Sequence, residues 1–443
     1  MGSRRRIATL VATASIVFAA CSGGTPATTA PSTAAAPSTT AASVAPPSAG
    51  AKPVTVEWWH ITTGEPGKSD FQAIADAYTA AHPNVKINIT VLENEAFKTK
   101  LATSIQSGQI PDLFHSWGGG IMAAQADAGA LKDITADIAS WKDTINAGAL
   151  SIYAYKGVQY GVPWDMGMIG VWYNKKLFSQ AGISGPPATW DDFLADVGKL
   201  KAAGITPLAI AGKDKWPSMH LWTYLVLRLG GGNALAQMVQ TGNWNTDACT
   251  KAGAQVQALN NLQPYQPGYA GADYNTEAAA VGNGKAAMEV MGQWAPSVEK
   301  DQSANKTGLG DDLGWFPFPT VAGGAGAPTD GVGGGNGIAV GKNASPEAID
   351  FLKFFMSVDN QNKLNSDNVG LSTVNGTEAT VKDPNLKAVL AGRGAATFMQ
   401  LYLDQATSPA MGSAINDATI ALFLGKSDPA KVCQAITDAA ATQ

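Results

Sequence analysis

Three short strings carry the residue types of a serine acyl-transfer centre: Ser297-Val298-Glu299-Lys300, Lys306-Thr307-Gly308 and Ser366-Asp367-Asn368. They match the strings of the penicillin-interacting serine enzymes, in which an activated serine attacks a carbonyl. In those enzymes the S-D-N string lies between the other two. Here it comes last, and only nine residues separate Ser297 from Lys306, too few to place both on separate elements around one pocket. The set is read as coincidental. The four histidines, His60, His82, His115 and His220, lack a paired spacing such as H-E-x-x-H, so no zinc site is expected. Neither a P-loop nor a G-x-S-x-G elbow is present, and no cofactor is expected. Glycoside cleavage needs only two facing carboxylates, and 35 acidic residues leave that chemistry open.

Tryptophan offers a different chemistry. Pyranose rings present apolar C–H faces that stack on indole, while their hydroxyls need polar partners. Of the 12 tryptophans, three sit in polar or glycine-rich phrases where a core role is awkward. Trp117 precedes Gly118-Gly119-Gly120, Trp216 lies in Lys213-Asp214-Lys215-Trp216-Pro217, and Trp294 follows Gly292-Gln293. Trp58, Trp172, Trp190, Trp222 and Trp315 lie in apolar or amphipathic runs and are read as core. Asp165 interrupts an otherwise uncharged run from Gly157 to Tyr173, so it needs a partner, either a ligand hydroxyl or a structural cluster of N–H groups. His60, Glu65, Gly118, Asp330, Asn336 and Arg393 complete the candidate contacts. The candidate loops hold no dense Lys/Arg cluster of the kind that phosphate or sulfate requires, which favours a neutral mono- or oligosaccharide.

The elements that must carry these residues read as α/β units. Val54 to Trp59 alternates like a strand, Phe71, Ile74, Ala75 and Tyr78 have helical spacing, and Val85, Ile87, Ile89 and Val91 alternate again. A strand, helix and strand so connected imply a parallel pair. A second unit starts at Trp172-Tyr173, with Thr189 capping a helix whose apolar face is Phe193, Val197 and Leu200. Gly204 ends that helix, and Ile205 to Ile210 reads as a buried strand. Ser345-Pro346-Glu347 and Ser427-Asp428-Pro429 each start a further helix. Glycines cluster at Gly118 to Gly120, Gly230 to Gly232 and Gly333 to Gly335, read as loops between elements.

At the N-terminus, Arg4 to Arg6, the apolar run Ile7 to Phe18 and Ala19-Ala20-Cys21 make an export signal too short to span a bilayer. Phe18-Ala19-Ala20-Cys21 resembles a bacterial lipobox, whose cysteine is lipidated and becomes the mature N-terminus. Residues 22–53 are almost entirely Ser, Gly, Thr, Ala and Pro, a composition that cannot bury enough apolar surface to fold. Removing residues 1–20 leaves 27 basic against 35 acidic residues, a net charge of −8, which excludes a nucleic-acid partner. The remaining stretch of roughly 390 residues is long enough for two domains. Outside the cytoplasm Cys249 and Cys433 can pair; otherwise both are buried free thiols.

Several phrases, in order, resemble family 1 of the bacterial extracellular solute-binding proteins, the maltose-binding-protein-like family. They are Glu57-Trp58-Trp59-His60, Gly64-Glu65-Pro66-Gly67, Ser107-Gly108-Gln109-Ile110-Pro111-Asp112-Leu113-Phe114, Tyr160 to Asp165, Tyr173-Asn174-Lys175, Pro187 to Phe193, Gly284-Lys285-Ala286-Ala287-Met288 and Gly292-Gln293-Trp294. The resemblance runs from about Val54 to the C-terminus. It implies a periplasmic-binding-protein-like α/β fold: two α/β lobes joined by a hinge of crossing strands, with a ligand cleft between them. By analogy lobe one is 54–163 plus 331–371 and lobe two is 164–330 plus 372–443, after a signal peptide at 1–20 and a lipid-anchored tether at 21–53. It also implies a monomeric, non-enzymatic lipoprotein of an ABC importer, held on the outer face of the cell membrane only by its lipid, which delivers a sugar to permease subunits. A secreted, lipid-anchored glycoside hydrolase is the alternative.

Overall fold

The computed structural model describes residues 52–442. The signal peptide, Cys21 and most of the tether lie outside the described residues. The strand Val54–His60 buries Val56, Trp58 and His60 on one face, and the helix Gly67–Ala81 covers them with Phe71, Ile74, Ala75 and Tyr78. The chain then returns as Val85–Val91, parallel to the first strand in unbroken register from Val54↔Val85 to His60↔Val91. Trp58 is the hub of this core, with ring centroids 5.2 Å from Phe71 and 5.4 Å from Phe355. The helix Pro346–Phe355 supplies Phe355, and Ser345 Oγ caps it by accepting from Ala348 N at 3.2 Å.

The first lobe is a five-stranded sheet in the order Val85–Val91, Val54–His60, Leu113–Ser116, Gly337–Val340, Gly161–Pro163. The second has four strands in the order Leu313–Phe316, Gly170–Asn174, Ala286–Met291, Thr206–Leu208. Its helix Trp190–Ala202 starts where Thr189 Oγ1 accepts from Asp192 N and buries Trp190, Phe193, Val197 and Leu200. Gly204, at φ +73°, turns the chain into Thr206–Leu208, a shorter strand than the apolar run suggested. Cys249 in the helix Asp247–Asn261 and Cys433 in the helix Pro429–Ala441 form a disulfide, 184 residues apart in sequence.

Three passages join the lobes. Residues 164–166 lead from Gly161–Pro163 to the strand Gly167–Met168, and residues 335–336 lead from Gly331–Gly334 back to Gly337–Val340. Trp164 N and Asp165 N both donate to Asn336 O, Asn336 N returns a bond to Asp165 O, and Met166 N donates to Leu371 O. The strand Gly331–Gly334 pairs with Gly167–Met168 and Met399–Leu401 in a three-stranded sheet of its own. Near the last crossing, Leu371 packs with the second-lobe residues Trp172 and Met291, and Val374 packs in the first core. A Cβ at Gly335 would overlap Asp165 O, so these passages close on each other only through glycine.

All three glycine clusters differ in part from the inter-element loops read from sequence: Gly119 and Gly120 open the helix Gly119–Asp127. Gly230 to Gly232 lie inside the helical span Trp216–Thr241, where Gly231 at φ +78° breaks the helix and Gly232 leaves room for the Phe398 ring. Gly333 and Gly334 are strand residues. Among the described residues no helix is long and apolar enough to cross a membrane.

Candidate functional site

A cavity of about 360 Å³ opens between the lobes, at the carboxyl ends of the first-lobe strands, where α/β sheets present their ligand sites. The first lobe contributes the loop after His60, the start of the helix Asn94–Ser107, and His115 and Trp117 at the end of Leu113–Ser116. The crossings contribute Trp164 and Asn336. The second lobe contributes Trp216 and His220, one turn apart on the same helix face with ring centroids 5.4 Å apart. Trp294 stands 6.5 Å from Trp216 and 5.9 Å from Tyr402, and its ring folds back over Gly292, where any Cβ would collide with it.

Polar atoms around this cavity lack protein partners. Trp216 Nε1, both ring nitrogens of His220, His115 Nε2, Tyr402 Oη and Gln405 Oε1 are buried without a hydrogen bond. Each such atom costs about 1–3 kcal/mol unless something bonds to it, and their convergence on one cavity marks a place built to receive a polar molecule. Burial pushes the imidazoles of His115 and His220 down to about 3, so both stay neutral at ordinary pH and each offers one donor and one acceptor. Lys98 pairs with Glu95 at 2.8 Å and Lys213 with Asp273 at 3.4 Å. Across the cleft, Asn275 Nδ2 donates to Glu93 Oε2 at 3.3 Å.

The structure brings Trp117, Trp216, Trp294 and Asn336 together in the cavity wall. The other six expected contacts are not among the residues that line it, and each makes bonds or contacts elsewhere. His60 packs edge-on against Phe71 at 5.0 Å, and its Nδ1 accepts from Thr62 N at 3.2 Å, which shapes the loop. Glu65 is exposed and accepts from Ser69 N in the first turn of the helix Gly67–Ala81. Gly118, at φ +70°, makes the turn into the helix Gly119–Asp127. Asp165 is 1 % exposed and accepts from Leu371 N at 2.6 Å and from Gln293 Nε2 and Asn336 Nδ2 at 2.7 Å each. It is the structural reading of that residue, a carboxylate at the hinge, that the geometry carries. Burial raises its pKa to about 6 against the pull of these three donors. Asp330 accepts from Ala327 N and Thr397 Oγ1, both at 2.9 Å, and Arg393 donates to Met166 O at 2.5 Å. His115, His220, Tyr274, Tyr402 and Asp404 line the cavity and were not singled out from sequence as contacts. Of the serine-enzyme strings only Ser297 and Val298 line the cavity; Ser366 Oγ lies 3.5 Å from Thr380 O, away from it. Among the described residues no His, Cys, Asp or Glu group is arranged to hold a metal.

Two α/β lobes, crossing strands and a cavity between them define a periplasmic-binding-protein-like fold. Residues 63–362 match the family described as bacterial extracellular solute-binding protein, and the chain belongs to that family. Its members are extracellular or periplasmic solute-binding proteins of ABC importers. The chain is 29% identical over 236 residues to a probable sugar-binding periplasmic protein of Mesorhizobium japonicum, covering 52% of this chain and 54% of that one. It is 27% identical to the multiple sugar-binding protein of Streptococcus mutans, covering 58% and 59%. The matches thus span between half and two thirds of these curated relatives. A solved structure from work on xylan utilization by Caldanaerobius polysaccharolyticus superposes with a TM-score of 0.81 at 25% identity, covering 87% of this chain and 99% of that one. A chitin oligosaccharide binding protein superposes at 0.80 with 23% identity, covering 87% and 98%.

Proposed function

We propose that the chain is the lipid-anchored substrate-binding subunit of an ABC importer, which captures a neutral sugar or oligosaccharide in the cleft and passes it unchanged to membrane permease subunits. The observation that carries this reading is the ring of unpaired buried polar atoms interleaved with Trp117, Trp216 and Trp294 around one cavity. Such a wall offers apolar faces to pyranose C–H groups and hydrogen bonds to hydroxyls. The sugar-binding relatives support the class. The lipobox-like Cys21 and the tether behind it support the anchor: full-length protein from a bacterial host is expected to partition into detergent and a Cys21→Ala form to stay in the aqueous phase. Equal partitioning of the two removes the anchor from the proposal.

The test of the function is titration calorimetry of the mature protein with a panel including xylobiose, cellobiose, maltose, lactose and raffinose, with the sugar recovered afterwards. At least one is expected to bind and to be recovered intact. At 100 times its dissociation constant it should add about 2.7 kcal/mol of stability. Silence across the panel overturns the sugar reading, and release of monosaccharide at an enzyme-like rate favours a glycoside hydrolase built on a carboxylate pair.

A further inference from the structure

Among the described residues that line the cavity, Asp404 is the one carboxylate that is buried, at 8 % exposure, and it forms no ion pair. Asn416 Nδ2 donates to it at 3.2 Å. Burial raises its pKa, and the charge of Lys98 offsets only part of that rise. The two lysines that reach the cavity are already engaged, Lys98 by Glu95 and Lys213 by Asp273. The two histidines facing it are neutral. A ligand entering this cleft therefore meets a buried carboxyl group that has no ion-pair partner, neutral donors such as Trp216 Nε1 and Tyr402 Oη, and no lysine without a partner of its own.

We propose that Asp404 is the charge-selecting residue of the cleft: its carboxylate accepts hydroxyl hydrogens from an uncharged saccharide and rejects the same saccharide carrying a carboxylate. The inference rests on the sugar-binding reading above and deepens it by naming the class excluded. A hydroxyl donor adds a hydrogen bond to the one that Asn416 supplies, and bonds to a charged acceptor are the stronger kind. A uronate at the same place puts two like charges in a water-poor site, where repulsion is screened far less than on the surface.

The experiment is calorimetric titration of three matched pairs: glucose with glucuronate, galactose with galacturonate, and cellobiose with cellobiouronate. Wild-type protein is expected to bind at least one neutral member and to bind its uronate at least 100-fold more weakly. Asp404→Asn, nearly isosteric, should narrow that ratio at least tenfold, chiefly by gaining uronate affinity, and Asp404→Glu should keep it. A uronate that binds wild type as tightly as its neutral partner overturns the inference without any variant. So does an unchanged ratio in Asp404→Asn. If no neutral sugar binds, the sugar reading itself has failed, a result distinct from either.

Discussion

Buried polar atoms without partners make opposite demands on stability and on binding, and His220 separates the two. Both its nitrogens are unpaired in a residue 2 % exposed, within ring contact of Trp216, Trp294 and Tyr402. Replacing it with phenylalanine keeps an aromatic ring and removes the polar cost. His220→Phe is expected to raise the unfolding midpoint while weakening sugar binding by about 1–3 kcal/mol, roughly 5- to 150-fold. The stability gain should be larger at pH 5 than at pH 7.5, because the unfolded histidine takes up a proton near 6.5 and the folded one only near 3. Thermal melts and calorimetry on the same sample decide it; a loss of both stability and affinity would mean that His220 is a packing residue. Trp190→Phe, in the second core, should leave affinity unchanged. The tryptophans of the site were legible because a large ring in a polar phrase has no core to enter. His220 was not, because Met219-His220-Leu221-Trp222 reads as core and a missing partner is a property of three-dimensional neighbours. Asp165 stood out correctly as a carboxylate needing donors, but only the crossings reveal that those donors are protein groups.

Elements whose ends carry their own signals matched the sequence reading closely: the helices starting at Trp190, Pro346 and Pro429 are capped by Thr189, Ser345 and Asp428, the last accepting from Lys431 N at 2.9 Å. The alternation of Val54 to Trp59 and Val85 to Val91 likewise fixed two strands, because a half-buried strand must alternate. What sequence did not show is where the chain changes lobes, since the short crossings have no periodicity and are defined by bonds between residues far apart, such as Leu371 N to Asp165 Oδ1. Asp165→Ala strands three donors, from Leu371, Gln293 and Asn336, at the junction of all three passages. It is expected to destabilise the protein by about 3 kcal/mol or more. Any weakening of binding should come through the hinge, because Asp165 does not line the cavity. Urea titration measures the first effect; a change below about 1 kcal/mol would show that the donors find other acceptors. The disulfide acts on the same scale, tying the last helix of the second lobe to Asp247–Asn261, and its loss should lower the unfolding free energy by up to about 5 kcal/mol in the chain-entropy account.

For the molecule as a whole, two sets of buried groups tilt stability in opposite directions with pH. His60, His115 and His220 are pushed by burial to about 3, so their contribution is intact above pH 6.5 and is lost as pH falls from there toward 3. Glu277, Glu289 and Glu299 meet behind the second-lobe wall, from the helix Tyr274–Gly282, the strand Ala286–Met291 and the helix Ala295–Gln302. Burial raises all three, Glu289 to about 7, and the charge of Glu289 raises the other two further. Raised carboxyls work the other way: their contribution is complete below about pH 4.5 and is lost as pH rises through 7. The two slopes oppose each other between pH 4.5 and 6.5, which should flatten the stability profile there. Above pH 6.5 the histidines no longer titrate in either state, leaving the carboxyls to dominate. Glu289→Gln removes the central member of the set without changing its shape. It is expected to raise the melting temperature at pH 8 by more than at pH 5. Melts of both proteins across that range test this, and an offset that stays constant from pH 5 to 8 would show that Glu289 does not titrate differently in the folded and unfolded chains.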